Sequence, residues 1–190
     1  MMKNTLKRVL SVTFAFASIC NAIVAHAAPL KPFTMQSFAE IRARHAGRPL
    51  VVHIWAMDCG PCLAELPKWG EFAKERPGVD LVLVRFDQAP REASEARLAR
   101  SGLGAVESWG VVSEPDDYLR ASVDPKWIGE VPRTLLIAPD GEVTSIRGTV
   151  DFRRVGQWVD QVAHSAVKVA APSPSRQTAL RDKSPPTRSN

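Results

Sequence analysis

The stretch Leu50-Val-Val-His-Ile-Trp-Ala-Met-Asp-Cys-Gly-Pro-Cys62 joins an apolar run to a pair of cysteines. Residues 50–56 form a short run rich in β-branched residues, which is typical of a buried strand. After the cysteines, apolar residues recur at helical spacing as far as a Pro-Gly pair at 77–78. Pro61 suits the first turn of that helix, because N–H groups there have no intrahelical partner. Cys59 is therefore predicted where a buried strand passes into a helix.

The spacing of the two cysteines favours reversible disulfide chemistry. Residues three apart in a helical turn lie about 5–6 Å from each other, within the range of about 4.4–6.8 Å between Cα atoms that a disulfide requires. Cys59 also faces the helix N-terminus, whose dipole and unpaired N–H groups favour a thiolate. Because the thiolate is the nucleophile, we assign attack to Cys59 and resolution of the mixed disulfide to Cys62.

Two other uses of these cysteines have to be weighed against redox chemistry. A permanent disulfide across so short a loop would stabilise the fold little. A tetrahedral metal site needs two more ligands, whereas the only other thiol is Cys20 and the 4 histidines are scattered. Three cysteines are also too few for a disulfide scaffold. The sequence therefore predicts a redox-active pair with no metal and no bound cofactor.

The motif Trp55-Ala-x-x-Cys-Gly-Pro-Cys62 after a buried strand resembles the thioredoxin superfamily. Its continuation, with Glu65 and Pro67 following at x-x-Glu-x-Pro spacing, is more particularly similar to the TlpA-like periplasmic thiol–disulfide oxidoreductases. In that family a cis-proline faces the cysteines, and Val131-Pro132 ahead of an apolar strand matches it. The resemblance covers about residues 33–166 and implies exchange with disulfides in other proteins.

The resemblance implies acid–base roles for two more residues. In the family the glutamate at the position of Glu65 is buried near the cysteines, where desolvation would raise its pKa and let it exchange a proton with the buried thiol. An ordinary exposed helix glutamate is the alternative. His53 stands where thioredoxin carries a buried aspartate used in proton transfer. A histidine can change charge near neutral pH with little cost, and a hydrogen-bonded core histidine is the alternative.

The surroundings of the cysteines also predict how a substrate is held. A cis Pro132 lacks an N–H and would leave the Val131 backbone free to pair with an extended substrate. The predicted substrate-binding residues are Trp55, Gly60, Pro61 and Val131. For Trp55, packing beneath the motif is the alternative. Asp58 departs from thioredoxins, which usually place a tryptophan before the first cysteine, and its charge would raise the pKa of the Cys59 thiol.

Residues 1–27 have the pattern of a secretory signal peptide. Basic residues at the start precede an apolar run over 9–24, and Ala25-His-Ala27 provides a small-x-small cleavage site. Cys20 lies in this run and is expected to be removed with it. The run is shorter than the roughly 20 residues of a membrane span, so an uncleaved membrane anchor is the alternative. The predicted localisation is the periplasm.

Residues 28–166 predict one domain, a thioredoxin-like α/β/α sandwich with a central mixed sheet and an insert before the strand of Pro132. The 190-residue chain, 45% hydrophobic, is long enough for one core. The predicted helices cover 34–47, the segment from Cys59 to 77, 90–99, 116–121 and a closing helix capped by Asp151; the predicted strands cover 50–56, 80–86, 106–112, 132–138 and 143–147. Residues 167–190 are basic and rich in Pro and Ser, which predicts a disordered tail.

The functional hypothesis is a periplasmic protein-disulfide reductase. A reducing role is favoured because Gly60-Pro61 is the thioredoxin dipeptide, and the resemblance implies that a membrane electron donor re-reduces the enzyme. Its other partners would be disulfide-bearing periplasmic proteins. Alternatives are a disulfide oxidase and a thioredoxin-fold metallochaperone for Cu(I), which thiolates bind well. A net charge of +5 without basic residues alternating with aromatics does not indicate nucleic-acid binding.

Overall fold

A computed structural model describes residues 28–170. This part of the chain forms one mixed six-stranded sheet in the order β1-β4-β3-β2-β5-β6. The strands are β1 (Lys31–Phe33), β2 (Leu50–Trp55), β3 (Asp80–Arg85), β4 (Glu107–Val111), β5 (Arg133–Ile137) and β6 (Val143–Arg147). The helices are α1 (Ser37–Arg44), α2 (Gly60–Glu75), α3 (Arg91–Arg100), α4 (Asp117–Val123) and α5 (Phe152–Ala170).

The sheet separates two apolar clusters, because side chains along a strand point alternately to its two faces. Val52 and Ile54 of β2 pack in the cluster that includes residues of α1 and α4. Val51 and Trp55 of the same strand pack in the cluster formed with α2, α3 and α5. β2 is parallel to β3 and antiparallel to β5. The predicted three-layer α/β/α sandwich with a mixed sheet is therefore confirmed.

The predicted insert lies between β3 and β5 and contributes α3, β4 and α4. β4 pairs in parallel with both β3 and β1, so the strand of the insert lies inside the sheet. β1 itself was not predicted from the sequence. It has three residues, of which only Phe33 is buried, and so short a segment has no hydrophobic period to detect.

The boundaries of α1 and α5 differ most from the predicted ones. α1 begins at Ser37 and not at Thr34, and no side chain caps it. The Ser37 N–H donates to the Thr34 carbonyl at 3.0 Å, and the Thr34 N–H donates to Ser37 Oγ at 2.8 Å, so a turn precedes the helix. At the other end of the domain Asp151 accepts from the Arg153 N–H at 3.0 Å, as expected for a cap. α5 then runs beyond the predicted domain boundary at 166, to Ala170.

Some predictions concern residues that the structure does not describe. The signal peptide with Cys20, and residues 171–190 of the tail, lie outside the described residues. Within 28–170, none of the helices combines the length and the apolar character that a membrane span requires.

Close packing of α2 on the end of α3 predicts that Gly70 does not tolerate a side chain. A Cβ at Gly70 would lie 2.0 Å from the Ser101 carbonyl oxygen, a backbone atom that cannot rotate away. We expect Gly70→Ala to lower the free energy of unfolding by about 2 kcal/mol, because overpacking outweighs the gain in helix propensity of about 1 kcal/mol. Urea denaturation measures this.

Gly78→Ala is the matched control, because nothing lies within 4 Å of a Cβ there. Its free energy of unfolding should stay within about 0.5 kcal/mol of the unsubstituted chain. If Gly70→Ala were as stable as Gly78→Ala, the described packing of α2 against the end of α3 would be wrong.

Candidate active site

The two cysteines lie at the N-terminus of α2, immediately after β2 and a short turn. Cys59 is the N-cap residue, and Cys62 lies in the first turn of the helix. They form a disulfide with their Cα atoms 5.2 Å apart. The Cys62 N–H donates a hydrogen bond to Cys59 Sγ at 3.2 Å. The sulfur of the N-cap residue therefore accepts from one of the N–H groups that have no partner within the helix. The same N–H is in position to stabilise a Cys59 thiolate after reduction.

The two sulfurs differ in their accessibility. Cys59 is half-buried, whereas Cys62 is fully buried, with 0% of its surface exposed. Gly60 and Pro61, between them, are exposed. Cys59 is therefore the more accessible of the two sulfurs, and the assignment of attack to Cys59 and of resolution to Cys62 stays a prediction.

Glu65 lies on α2 one turn after Cys62 and is buried, with 4% of its surface exposed. One oxygen accepts the Val150 N–H at 2.6 Å. The other, Oε2, has no hydrogen-bond partner within the described residues. Burial raises the pKa of the Glu65 carboxyl, and the Val150 hydrogen bond and the charge of Lys68 oppose that shift. The expected burial is present, and the proton-transfer role stays a prediction.

His53 lies in the middle of β2, is fully buried and faces α2. Its Nδ1 hydrogen-bonds with Thr134 Oγ1 at 3.0 Å, and its ring centroid lies 5.0 Å from that of Trp69. Nε2 has no partner among the described residues. Burial lowers the pKa of His53 to about 3, so the imidazole is neutral near pH 7. The expectation of an easy charge change at neutral pH is therefore corrected, and any catalytic role would use the neutral ring.

The low pKa of His53 predicts an acid-dependent loss of stability. The folded-state pKa, about 3, lies below the ordinary value of 6.5. The stability that His53 contributes by staying neutral is therefore fully present above pH 6.5 and is lost as the pH falls towards 3. Between about pH 7.5 and about pH 5 the free energy of unfolding should fall by about 2 kcal/mol more than in His53→Gln, which cannot charge. Urea denaturation at both pH values measures the difference. Equal pH dependence in the two proteins would contradict it.

The loop before β5 contains the predicted cis bond, between Val131 and Pro132. Val131 is half-buried and packs against the same apolar cluster as Cys59. It also lines a cleft of about 430 Å³ together with Asp58, Phe86 and Glu114. Val131 and the turn before Cys59 therefore border one open cleft.

The predicted substrate contact of Trp55 is not supported. Its side chain is 0% exposed and packs with Cys62, Leu66 and Trp69 in the cluster beneath α2. It therefore packs under the motif and presents no surface to a partner. Gly60, Pro61 and Val131 remain accessible from outside, so their predicted substrate contacts stay predictions.

Sequence reasoning missed Asp87, which fixes the turn before the cysteines. Its carboxylate accepts the backbone N–H of Met57, and it forms an ion pair with the buried Arg85 at 3.2 Å. Arg85 in turn donates to Ser94 Oγ at 2.9 Å and to the Val111 carbonyl at 3.2 Å. Arg85 ends an otherwise apolar strand. Because a buried charge requires partners, this arginine could have indicated that a nearby carboxylate such as Asp87 pairs with it.

No family model and no curated protein matches the chain. Among solved structures, a secreted Mycobacterium tuberculosis disulfide oxidoreductase homologous to E. coli DsbE matches with a TM-score of 0.51 and 21% identity, over 64% of this chain and 85% of that one. DsbF of the same organism matches with a TM-score of 0.52 and 20% identity, over 73% and 96%.

A third solved structure is a thiol:disulfide interchange protein of the thioredoxin family from Chlorobium tepidum. It matches with a TM-score of 0.52 and 19% identity, over 64% of this chain and 83% of that one. At such identities the likeness concerns the course of the backbone. Together with the mixed sheet and the Cys-Gly-Pro-Cys helix start, it shows that this chain has the thioredoxin-like fold.

Proposed function

We propose that this chain is a TlpA-like thiol–disulfide oxidoreductase that reduces disulfides in other exported proteins. The observation that carries the proposal is the half-buried Cys59 at the N-cap of α2, bonded to a fully buried Cys62. This arrangement supplies one accessible nucleophile and one internal thiol to resolve its product, which is what reversible exchange requires.

The proposed reaction transfers two electrons in two displacements. The Cys59 thiolate attacks one sulfur of a substrate disulfide, and the other substrate sulfur leaves as a thiolate that takes a proton from water. Cys62 then loses its proton and attacks Cys59 Sγ, which breaks the mixed disulfide and releases the second substrate sulfur as a thiolate that also takes a proton from water. The substrate gains two electrons and two protons, and the enzyme ends with the Cys59–Cys62 bond.

Glu65 is the proposed acceptor of the Cys62 proton. It is buried one turn from Cys62 on the same helix, and one of its oxygens lacks a partner within the described residues. Burial raises the pKa of the Glu65 carboxyl towards that of a thiol, so a proton passes between the two groups at lower cost. His53 is neutral in this scheme and keeps its hydrogen bond to Thr134.

The reducing direction and the periplasmic location rest on the sequence. Gly-Pro between the cysteines is the thioredoxin dipeptide, and thioredoxin has a reduction potential of about −270 mV. Residues 1–27 have the pattern of a signal for export, and one structural neighbour is described as secreted. Because the periplasm is kept oxidising, a reductase there has to be re-reduced, and we propose a membrane electron donor for that step.

Reduction of insulin disulfides by the purified chain tests the proposed function, with dithiothreitol as the electron source. The proposal expects the chain to accelerate the precipitation of insulin B chains well above the dithiothreitol background. Faster oxidation of a reduced substrate without insulin reduction would indicate the oxidase alternative. Stoichiometric retention of Cu(I) through dialysis, again without insulin reduction, would indicate a metallochaperone.

A further inference from the structure

A buried arginine directly follows the loop that borders the cleft. Arg133 is the first residue of β5, and 1% of its surface is exposed. The mechanism above gives it no task. A charge in the core is costly unless it is paired, and well-packed apolar residues often replace such groups without loss of stability. The presence of Arg133 therefore calls for an explanation beyond folding.

The Arg133 side chain contacts one segment at three residues. Nη2 is paired with Asp124 Oδ2 and Nη1 with Glu130 Oε1, and the guanidinium carbon lies 5.9 Å from the ring centroid of Trp127. Residues 124–130 connect α4 to Val131. One side chain therefore contacts this segment at its start, its middle and its end.

The segment is also tied to the wall of the cleft. Trp127 Nε1 donates to the Glu130 carbonyl at 2.9 Å, which closes the segment on itself. The Trp127 ring lies 4.5 Å, between centroids, from that of Phe86. Phe86 and Val131 both line the cleft beside the turn of Asp58. A displacement of residues 124–130 would therefore move Val131 relative to that turn.

We propose that Arg133 is a positioning residue: by pairing with Asp124 and Glu130 it holds Val131 at the cleft beside Cys59, and so sets how tightly a protein substrate is bound. This inference rests on the proposed function. The forked guanidinium reaches two carboxylates in different directions, which a lysine ammonium cannot do with the same geometry. The ion pairs and the ring contact of Arg133 are with residues of 124–130, so the reactivity of the cysteines towards small disulfides should not depend on it.

Arg133→Lys tests the proposal, because it keeps the charge and removes the fork. We expect the KM for insulin to rise about tenfold, while the rate of reaction with the small disulfide DTNB stays within about twofold. Hydrogen exchange of residues 124–131 should rise about tenfold while that of α2 is unchanged. Arg147→Lys is the matched control. Arg147 also contacts Glu130, at 3.4 Å, but its side chain is 59% exposed, and its replacement should change none of these quantities.

Each outcome decides a separate question. An unchanged KM for insulin in Arg133→Lys would overturn the proposal, and so would a parallel fall in the insulin and DTNB rates, since that indicates disturbed sulfurs. If Arg133→Lys does not fold, Glu130→Gln is the second variant. It removes the charge of one of the two carboxylates that pair with Arg133, and it should give the same selective rise in the KM for insulin. If the unsubstituted chain reduces DTNB but not insulin, the proposed function fails. The exchange measurement then still decides whether Arg133 holds the segment, and unchanged protection of 124–131 would overturn that.

Discussion

Cys59→Ser should abolish insulin reduction, with a loss of more than about 1000-fold in rate. The reason is chemical: the half-buried Cys59 is the only cysteine of the described pair that a substrate can reach, because Cys62 is fully buried. A serine hydroxyl is not ionised at neutral pH and does not attack a disulfide. The measurement is insulin precipitation with dithiothreitol as the electron donor.

Cys62→Ser gives the complementary result and serves as the control for folding. It keeps the attacking thiol and lacks the resolving one, so it should stop at a mixed disulfide with its substrate. Non-reducing electrophoresis and mass spectrometry would detect that adduct. If Cys59→Ser accumulated the mixed disulfide and Cys62→Ser did not, the assignment of the two thiols would be reversed.

Glu65→Gln should slow the release of substrate from the mixed disulfide by about 100-fold. The amide keeps an oxygen that can accept the Val150 N–H but cannot take the proton from Cys62. Rapid-mixing measurements of mixed-disulfide decay report this step. In the unsubstituted chain the rate should rise as the pH passes through the raised pKa of Glu65, because only the ionised carboxylate accepts a proton. In Glu65→Gln that rise should be absent.

Stability separates this effect from misfolding. Because burial raises the pKa of Glu65, the ionised form is disfavoured in the folded chain, and stability falls as the pH rises through the folded-state pKa. Glu65→Gln should therefore be at least as stable as the unsubstituted chain near pH 7. Glu71→Gln, exposed on the same helix, is the matched control. An unaltered rate and pH profile in Glu65→Gln would contradict the proton-acceptor role.

The features that the sequence predicted correctly depend on local patterns of residues. The strand-to-helix junction at Cys59 follows from a change of hydrophobic period and a proline in the first turn. The two apolar faces of the sheet follow from the apolar runs of the strands and from apolar residues at helical spacing in the helices. The burial of Glu65 and the cis bond at Pro132 came from the resemblance of the motifs, since spacing alone does not distinguish a buried glutamate from an exposed one.

The features that the sequence did not predict depend on contacts between distant residues. β1 is a strand only because β4 pairs with it. The pKa of His53 depends on complete burial between the sheet and α2, which no periodicity measures. Arg133 and Asp87 are ordinary charged residues in the sequence, and their roles come from the segments that they hold in the folded chain.

The proposed function requires reversible redox cycling of Cys59 and Cys62. The measurement is equilibration of the purified chain across a series of thiol–disulfide buffers of defined potential, with alkylation and mass spectrometry to count free thiols. We predict one two-electron transition at about −270 mV that is absent from Cys59→Ser. A transition at about −120 mV would contradict the reducing direction, and a pair that stays bridged in every buffer would contradict the proposed function itself.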